Sequence, residues 1–179
     1  ALLNPVENVR NYITNRSRAL NLGIYTCDLS FASLYDQTQL IIDYMGAAKS
    51  MADGLGILDA IADEDITKLE ENIHDTETIM EIVSQTYLNS NSYLEDNGQP
   101  AIAAIVLAGG WIEGLYISTQ LIDMKDFQKN ELVGRIVDQK LSVDILLNLL
   151  ESNSGHPAVD ELILQVAKIK RVFDKITLT

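Results

Sequence analysis

Cysteine and histidine are scarce in this chain of 179 residues, which contains one cysteine and two histidines. The single cysteine, Cys27, excludes an intrachain disulfide, a CxxC redox pair and a metal cluster built from several cysteines. The histidines, His74 and His156, have no local motif around them that indicates a catalytic triad. The chemistry that these residues usually carry therefore has little support in the sequence.

Proline and glycine are also few, at three and ten residues. Their scarcity favours long uninterrupted elements over a turn-rich all-β fold, and no segment alternates polar and apolar residues with a period of two. Apolar residues recur at helical spacing instead, for example Ile79, Ile82, Val83, Tyr87 and Leu94. The pattern predicts an all-α fold with one domain spanning 1–179, built from seven or eight helices joined by short loops.

The start of the chain suggests two successive helices. Asn4-Pro5 is typical of a helix cap followed by proline at the first helical position. The first helix is therefore expected to run to about Leu22, and Gly23 is expected to interrupt the chain before a second helix begins.

Basic residues are outnumbered, with 13 Lys and Arg against 26 Asp and Glu, for a net charge of −13. Residues 53–96 contain twelve acids and one base, Lys68. This excess argues against non-specific binding to nucleic acid or to an anionic membrane surface. A solvated acidic surface is the simplest interpretation.

The segment 101–124 has no Lys or Arg, and its only charges are Glu113 and Asp123. About 20 such residues would suffice to cross a bilayer. However, Glu113 lies at the midpoint, several glycines dilute the hydrophobicity, and neither end has a basic cluster. We therefore expect the central apolar helix of the bundle, at about 100–124, and no membrane span. Gly110 and Gly114 share a face that would let another helix approach closely.

The known sequence motifs for metal and nucleotide binding are incomplete or missing in this chain. Glu71 and His74 have the E-x-x-H spacing of di-iron bundles, but the chain has no second copy. A calcium loop opening at Asp63 would need glycine where Lys68 stands. Phosphate-binding glycine loops, G-x-S-x-G elbows and H-E-x-x-H motifs are missing. We expect no metal, no cofactor and no catalytic set.

The remaining candidate site joins two helices. Tyr25, Asp28 and Tyr35 lie on one predicted helix, and Trp111, Glu113 and Tyr116 lie on the central one. If these faces meet, they form an aromatic and acidic groove suited to a cationic or sugar-like ligand. The alternative is that the tyrosines are core residues and that the two acids pair with Arg16, Arg18 or a backbone end.

Four segments carry a resemblance to a known family: residues 2–5 (LLNP), 18–29 (RALNLGIYTCDL), 35–39 (YDQTQ) and 107–116 (LAGGWIEGLY). They resemble a family of uncharacterised exported all-helical proteins of Gram-negative bacteria that are lipid-anchored. The resemblance implies a location in the cell envelope, in the periplasm or on a lipid anchor, with a signal segment and an anchoring cysteine before Ala1. It implies no activity and no catalytic residues.

Three functional hypotheses follow. The first is a non-enzymatic envelope protein that binds a small ligand or a protein partner. The second is a hydrolase-like enzyme that uses Asp28 and Glu113 as a carboxylate pair. The third is a structural assembly module, which a large apolar surface patch would favour. The identity of the ligand or partner and the oligomeric state stay open.

Overall fold

The computed structural model describes residues 2–125, 127 and 130–177, and within these ranges it is helical with no β-strand. Two 3₁₀-helices, Val6–Asn11 and Leu58–Ala60, accompany seven α-helices. The α-helices are α1 (Asn15–Leu34), α2 (Thr38–Gly54), α3 (Asp63–Glu71), α4 (Thr76–Asp96), α5 (Pro100–Gln120), α6 (Glu131–Glu151) and α7 (Pro157–Phe173). The predicted all-α bundle with an apolar central helix is confirmed.

Helix α5 is the centre of this bundle. It packs most extensively on α1 and also contacts α4, α6 and α7, while α2 packs on α1. Its first half, from Ala101 to Gly109, is buried except for Leu107. Among the described residues α5 is also the one helix long and apolar enough to cross a membrane, with a mean hydropathy of 1.6. Burial of that half by helices of the same chain is typical of a core helix.

The predicted break at Gly23 is wrong, because α1 runs through this residue without interruption. Gly23 has a packing role instead. A Cβ added to Gly23 would lie 2.1 Å from the carbonyl oxygen of Val106, and one added to Gly109 would lie 2.1 Å from that of Leu20. The backbones of α1 and α5 therefore approach so closely that only glycine fits at these two positions. Gly110 also faces Gly23, whereas Gly114 has more space, with the sulfur of Cys27 at 3.7 Å.

The predicted cap at Asn4 is wrong as well. The helix after Pro5 is the 3₁₀-helix Val6–Asn11, and α1 begins later, at a capping box formed by Thr14 and Ser17. The hydroxyl of Thr14 accepts from the backbone N–H of Ser17, and the hydroxyl of Ser17 accepts from the N–H of Thr14. Asn4 is thereby released to make tertiary contacts.

Substitution of Gly109 by Ala should lower the free energy of unfolding by about 1–3 kcal/mol or more, because a Cβ there must push two helix backbones apart. The matched control is Gly46→Ala, at an exposed position inside α2 where a Cβ meets nothing within 4 Å. That change should be neutral or stabilise the protein by up to about 1 kcal/mol. Urea denaturation of both variants measures the difference, and equal effects would contradict the close packing of α1 on α5.

Candidate functional site

Packing of α1 on α5 brings two acidic side chains together. The carboxyl groups of Asp28, on α1, and Glu113, on α5, lie close enough to form a hydrogen bond when one of them is protonated. Asp28 is fully buried, with 0% of its surface exposed, whereas Glu113 is partly exposed. The predicted meeting of the two helix faces at these acids is therefore present in the structure.

No cationic side chain neutralises Asp28 within the part of the chain that the structure describes. Oδ2 of Asp28 accepts from the backbone N–H of Asn4 at 3.2 Å, and Oδ1 is buried without a conventional donor. Arg16 forms an ion pair with Glu161, and Arg18 donates to the carbonyl oxygens of Tyr12 and Gly54. Pairing with either arginine is thus contradicted, and only the backbone N–H of the alternative interpretation is found.

Burial of the two acids raises the pKa of each. For Asp28 the loss of water is the largest cause, the negative charge of Glu113 adds to it, and the N–H of Asn4 opposes it. For Glu113 the loss of water again dominates, and the hydrogen bond with Asp28 lowers its pKa in part. Two carboxyl groups can share a hydrogen bond only if one of them keeps its proton. Because the pKa of Asp28 is raised to about 8, we expect the pair to keep one proton and to carry one negative charge at neutral pH.

Two buried tyrosines, Tyr25 and Tyr44, lie near Asp28. The ring of Tyr25 lies 6.2 Å from that of Tyr12 and 6.0 Å from that of Tyr44, measured between centroids. The hydroxyl of Tyr25 donates to the carbonyl oxygen of Pro5 at 3.0 Å. Burial raises the pKa of Tyr25 and of Tyr44, and the charge of Asp28 raises both further. These phenols stay neutral, so they cannot supply the missing positive charge.

Residues 2–12, which we term the N-terminal strap, cover the acid pair. The side-chain amide of Asn4 donates to Oδ1 of Asn21 at 2.9 Å and to the hydroxyl of Tyr12 at 3.1 Å. Asn8 in turn donates to Oδ1 of Asn4 at 3.0 Å. These bonds hold the backbone of the strap where the N–H of Asn4 reaches Asp28.

An open cleft of about 430 Å³ lies between the strap, α1 and α5. Glu113 is its one charged group, and Tyr116, one turn further along α5, is 43% exposed. The lining residues are Leu2, Leu3, Asn4, Tyr12, Asn21, Ile24, Glu113 and Tyr116. The cleft therefore combines apolar and aromatic side chains with two amides, those of Asn4 and Asn21, and a single carboxyl group.

The six residues predicted to form the groove lie in different places in the structure. Glu113 and Tyr116 line the cleft, whereas Tyr25 and Asp28 lie buried behind it. Tyr35 is outside the cleft, 54% exposed, with its ring centroid 4.8 Å from that of Phe31.

Trp111 belongs to a different side of α5. Its indole N–H donates to Oε1 of Gln139, on α6, at 3.0 Å, and it does not line the cleft. Fewer of the six predicted residues therefore share one groove than we expected. Sequence inspection missed the strap residues, and it also missed Asn21 and Ile24, although both lie on the α1 face that carries Asp28.

No group of three or more His, Cys, Asp or Glu side chains that could hold a metal ion occurs among residues 2–125, 127 and 130–177. The E-x-x-H candidate is not an acid–imidazole pair along one helix, because Nδ1 of His74 lies 3.2 Å from Oδ1 of Asp36. Both side chains are largely exposed. The arrangement is that of a surface contact between loops.

Comparisons of the chain with protein-family models, with curated proteins and with solved structures found no match. The resemblance to exported envelope proteins therefore stays an expectation from the sequence.

The acid pair should make stability depend on pH. Unfolded Asp and Glu release their protons near pH 4, whereas the folded pair keeps one, so rising pH favours the unfolded state. Between about pH 5 and pH 7 the free energy of unfolding should fall by up to about 1.4 kcal/mol per pH unit relative to an Asp28→Asn variant.

Urea denaturation across this range measures that difference. Glu95→Gln is the control, because it removes an exposed acid from α4 and should keep the wild-type slope. If Asp28→Asn also keeps the wild-type slope, the pair does not hold a proton in the folded state.

Proposed function

We propose that this protein is a non-enzymatic binding protein whose ligand is a small molecule held in the cleft at Glu113. One observation carries the proposal: a partly exposed acid at the cleft is backed by a fully buried acid without a cation. Buried polar groups without a conventional partner are costly for a fold, and their retention beside an open cleft points to a role in binding.

The size and lining of the cleft support a small ligand. A volume of about 430 Å³ lies in the range of small-molecule sites, which combine apolar walls with a few polar groups. Tyr12 and Tyr116 offer ring faces, Asn4 and Asn21 offer amides, and Glu113 offers a carboxylate. Cationic and sugar-like compounds both use such groups.

The enzyme hypothesis is the second candidate, and the retained proton is what favours it. A carboxylic acid that keeps its proton at neutral pH can act as a general acid. Hydrolysis by an acid pair, however, requires both carboxyl groups to reach the substrate, and Asp28 is 0% exposed. Only Glu113 could touch a substrate, which makes binding the better supported function.

The cellular setting is part of the same proposal and rests on the resemblance alone. A protein of the bacterial envelope, periplasmic or lipid-anchored, meets small molecules that enter from outside the cell. A cleft that opens between the strap and α5 would be accessible in that setting. Recognition of a protein partner through the same surface is compatible with the exposed ring of Tyr116.

A thermal-shift screen tests the proposal. D-glucose, N-acetyl-D-glucosamine, n-butylammonium and 2-phenylethylammonium represent the two ligand classes. A compound present at about 100 times its Kd stabilises the folded state by about 2.7 kcal/mol, which corresponds to an increase in Tm of about 5–10 °C.

The variants assign the site. We expect a shift in the wild type and in Glu95→Gln, which changes an exposed acid on α4, but no shift in Glu113→Gln. If a compound shifts the Glu113→Gln variant as strongly as the wild type, the cleft is not its site. If no compound of either class shifts the wild type, the proposed function is wrong.

A further inference from the structure

We infer that the cleft takes an organic cation with an apolar or aromatic body, and that this cation displaces the proton shared by Asp28 and Glu113. The inference rests on the proposed binding function and names its ligand class and its control by pH. Two observations support it: an oxygen of Asp28 is buried and unpartnered, and Glu113, which interacts with Asp28, lines the cleft.

The described residues that face the Asp28–Glu113 pair include no cation. They come from the strap, α1, α2 and α5. Glu113 is the one charge that acts strongly on Asp28. The titratable groups near the pair and its neighbouring phenols are Glu7, Tyr12, Tyr25, Cys27, Asp43, Tyr44 and Tyr116. The proton is thus the only positive charge that the site itself provides.

A bound organic cation can replace the proton of the pair. An ammonium group next to Glu113 stabilises the ionised form of both carboxyl groups, because opposite charges a few ångströms apart favour ionisation. The shared proton then leaves the Asp28–Glu113 pair for the solvent, and the cation takes its place. No bond other than the O–H bond breaks, and the summed charge of pair, proton and cation is conserved.

The lining of the cleft indicates what the uncharged part of the ligand is. The apolar lining residues are Leu2, Leu3 and Ile24, and the aromatic ones are Tyr12 and Tyr116. Together with the carboxyl group of Glu113, these side chains favour a cation that carries hydrocarbon over a strongly hydrated metal ion. A neutral ligand would bond to Glu113 without any reason to expel the proton.

Calorimetry with a matched pair of probes tests the exchange. The probes are 2-phenylethylammonium, whose amine keeps its proton until about pH 10, and the neutral 2-phenylethanol of similar shape. For wild type the affinity for the cation should rise with pH between about 5.5 and 7.5, by up to about tenfold per unit. At neutral pH about one proton should be released to the buffer on binding. The binding enthalpies measured in phosphate and in Tris should therefore differ by the difference between the protonation enthalpies of the two buffers. The neutral probe should bind more weakly and without dependence on pH.

Two variants separate the contributions. Asp28→Asn removes the exchangeable proton but leaves the Glu113 carboxylate, so it should bind the cation with no pH dependence and no proton release. Glu113→Gln should lose binding of the cation, since the remaining acid is buried.

The outcomes are distinguishable. Cation binding with equal affinity across the pH range and equal enthalpy in both buffers would overturn the exchange and leave the proposed function standing. Binding of 2-phenylethanol or a sugar in preference to the cation would overturn the ligand class alone. Failure of every probe to bind would overturn this inference together with the proposed function.

Discussion

The backbones of α1 and α5 touch at Gly23 and Gly109, and most other features of the molecule depend on this contact. A side chain at either position would meet a carbonyl oxygen of the other helix at 2.1 Å, so the two helices have one register in which they fit. Asp28 lies five residues after Gly23, and Glu113 lies four residues after Gly109. The same register that requires the glycines therefore places the two acids against each other, one turn beyond the contact.

That juxtaposition has an electrostatic consequence. An ionised carboxylate in a dry environment costs far more than a neutral acid, and the arginines nearest in sequence are engaged with Glu161, Tyr12 and Gly54. The pair relieves the repulsion by keeping a proton. The strap then restricts access of water, with Asn4 bonded to Asp28 through its backbone and to Asn21 through its side chain. Only Glu113 stays open to the cleft, which makes it the point at which a ligand can sense the charge of the pair.

The helices and the central position of α5 could be predicted from the sequence, because apolar periodicity and the charge-poor run 101–124 reflect burial directly. The sequence predicted that Asp28 and Glu113 come together only if the two helix faces that carry them meet. The error at Gly23 has a physical origin: glycine weakens an isolated helix, but here the tertiary contact with Val106 outweighs that local preference. Helical spacing also reports which residues share a face, and not which neighbour covers it. Trp111 was therefore assigned to the groove although its indole bonds to Gln139, and the strap could not be anticipated because its contacts are with distant residues.

We expect the folded protein to keep a proton between Asp28 and Glu113 at neutral pH. A carbon-13 NMR titration of the side-chain carboxyl groups measures it directly, with Asp28→Asn and Glu113→Gln to assign the two signals. We expect at least one of the two carboxyl carbons to complete its titration above neutral pH, and we expect Glu113→Gln to lower the pKa of Asp28 by abolishing the repulsion. Titration of both carbons near pH 4, as in unperturbed acids, would contradict it.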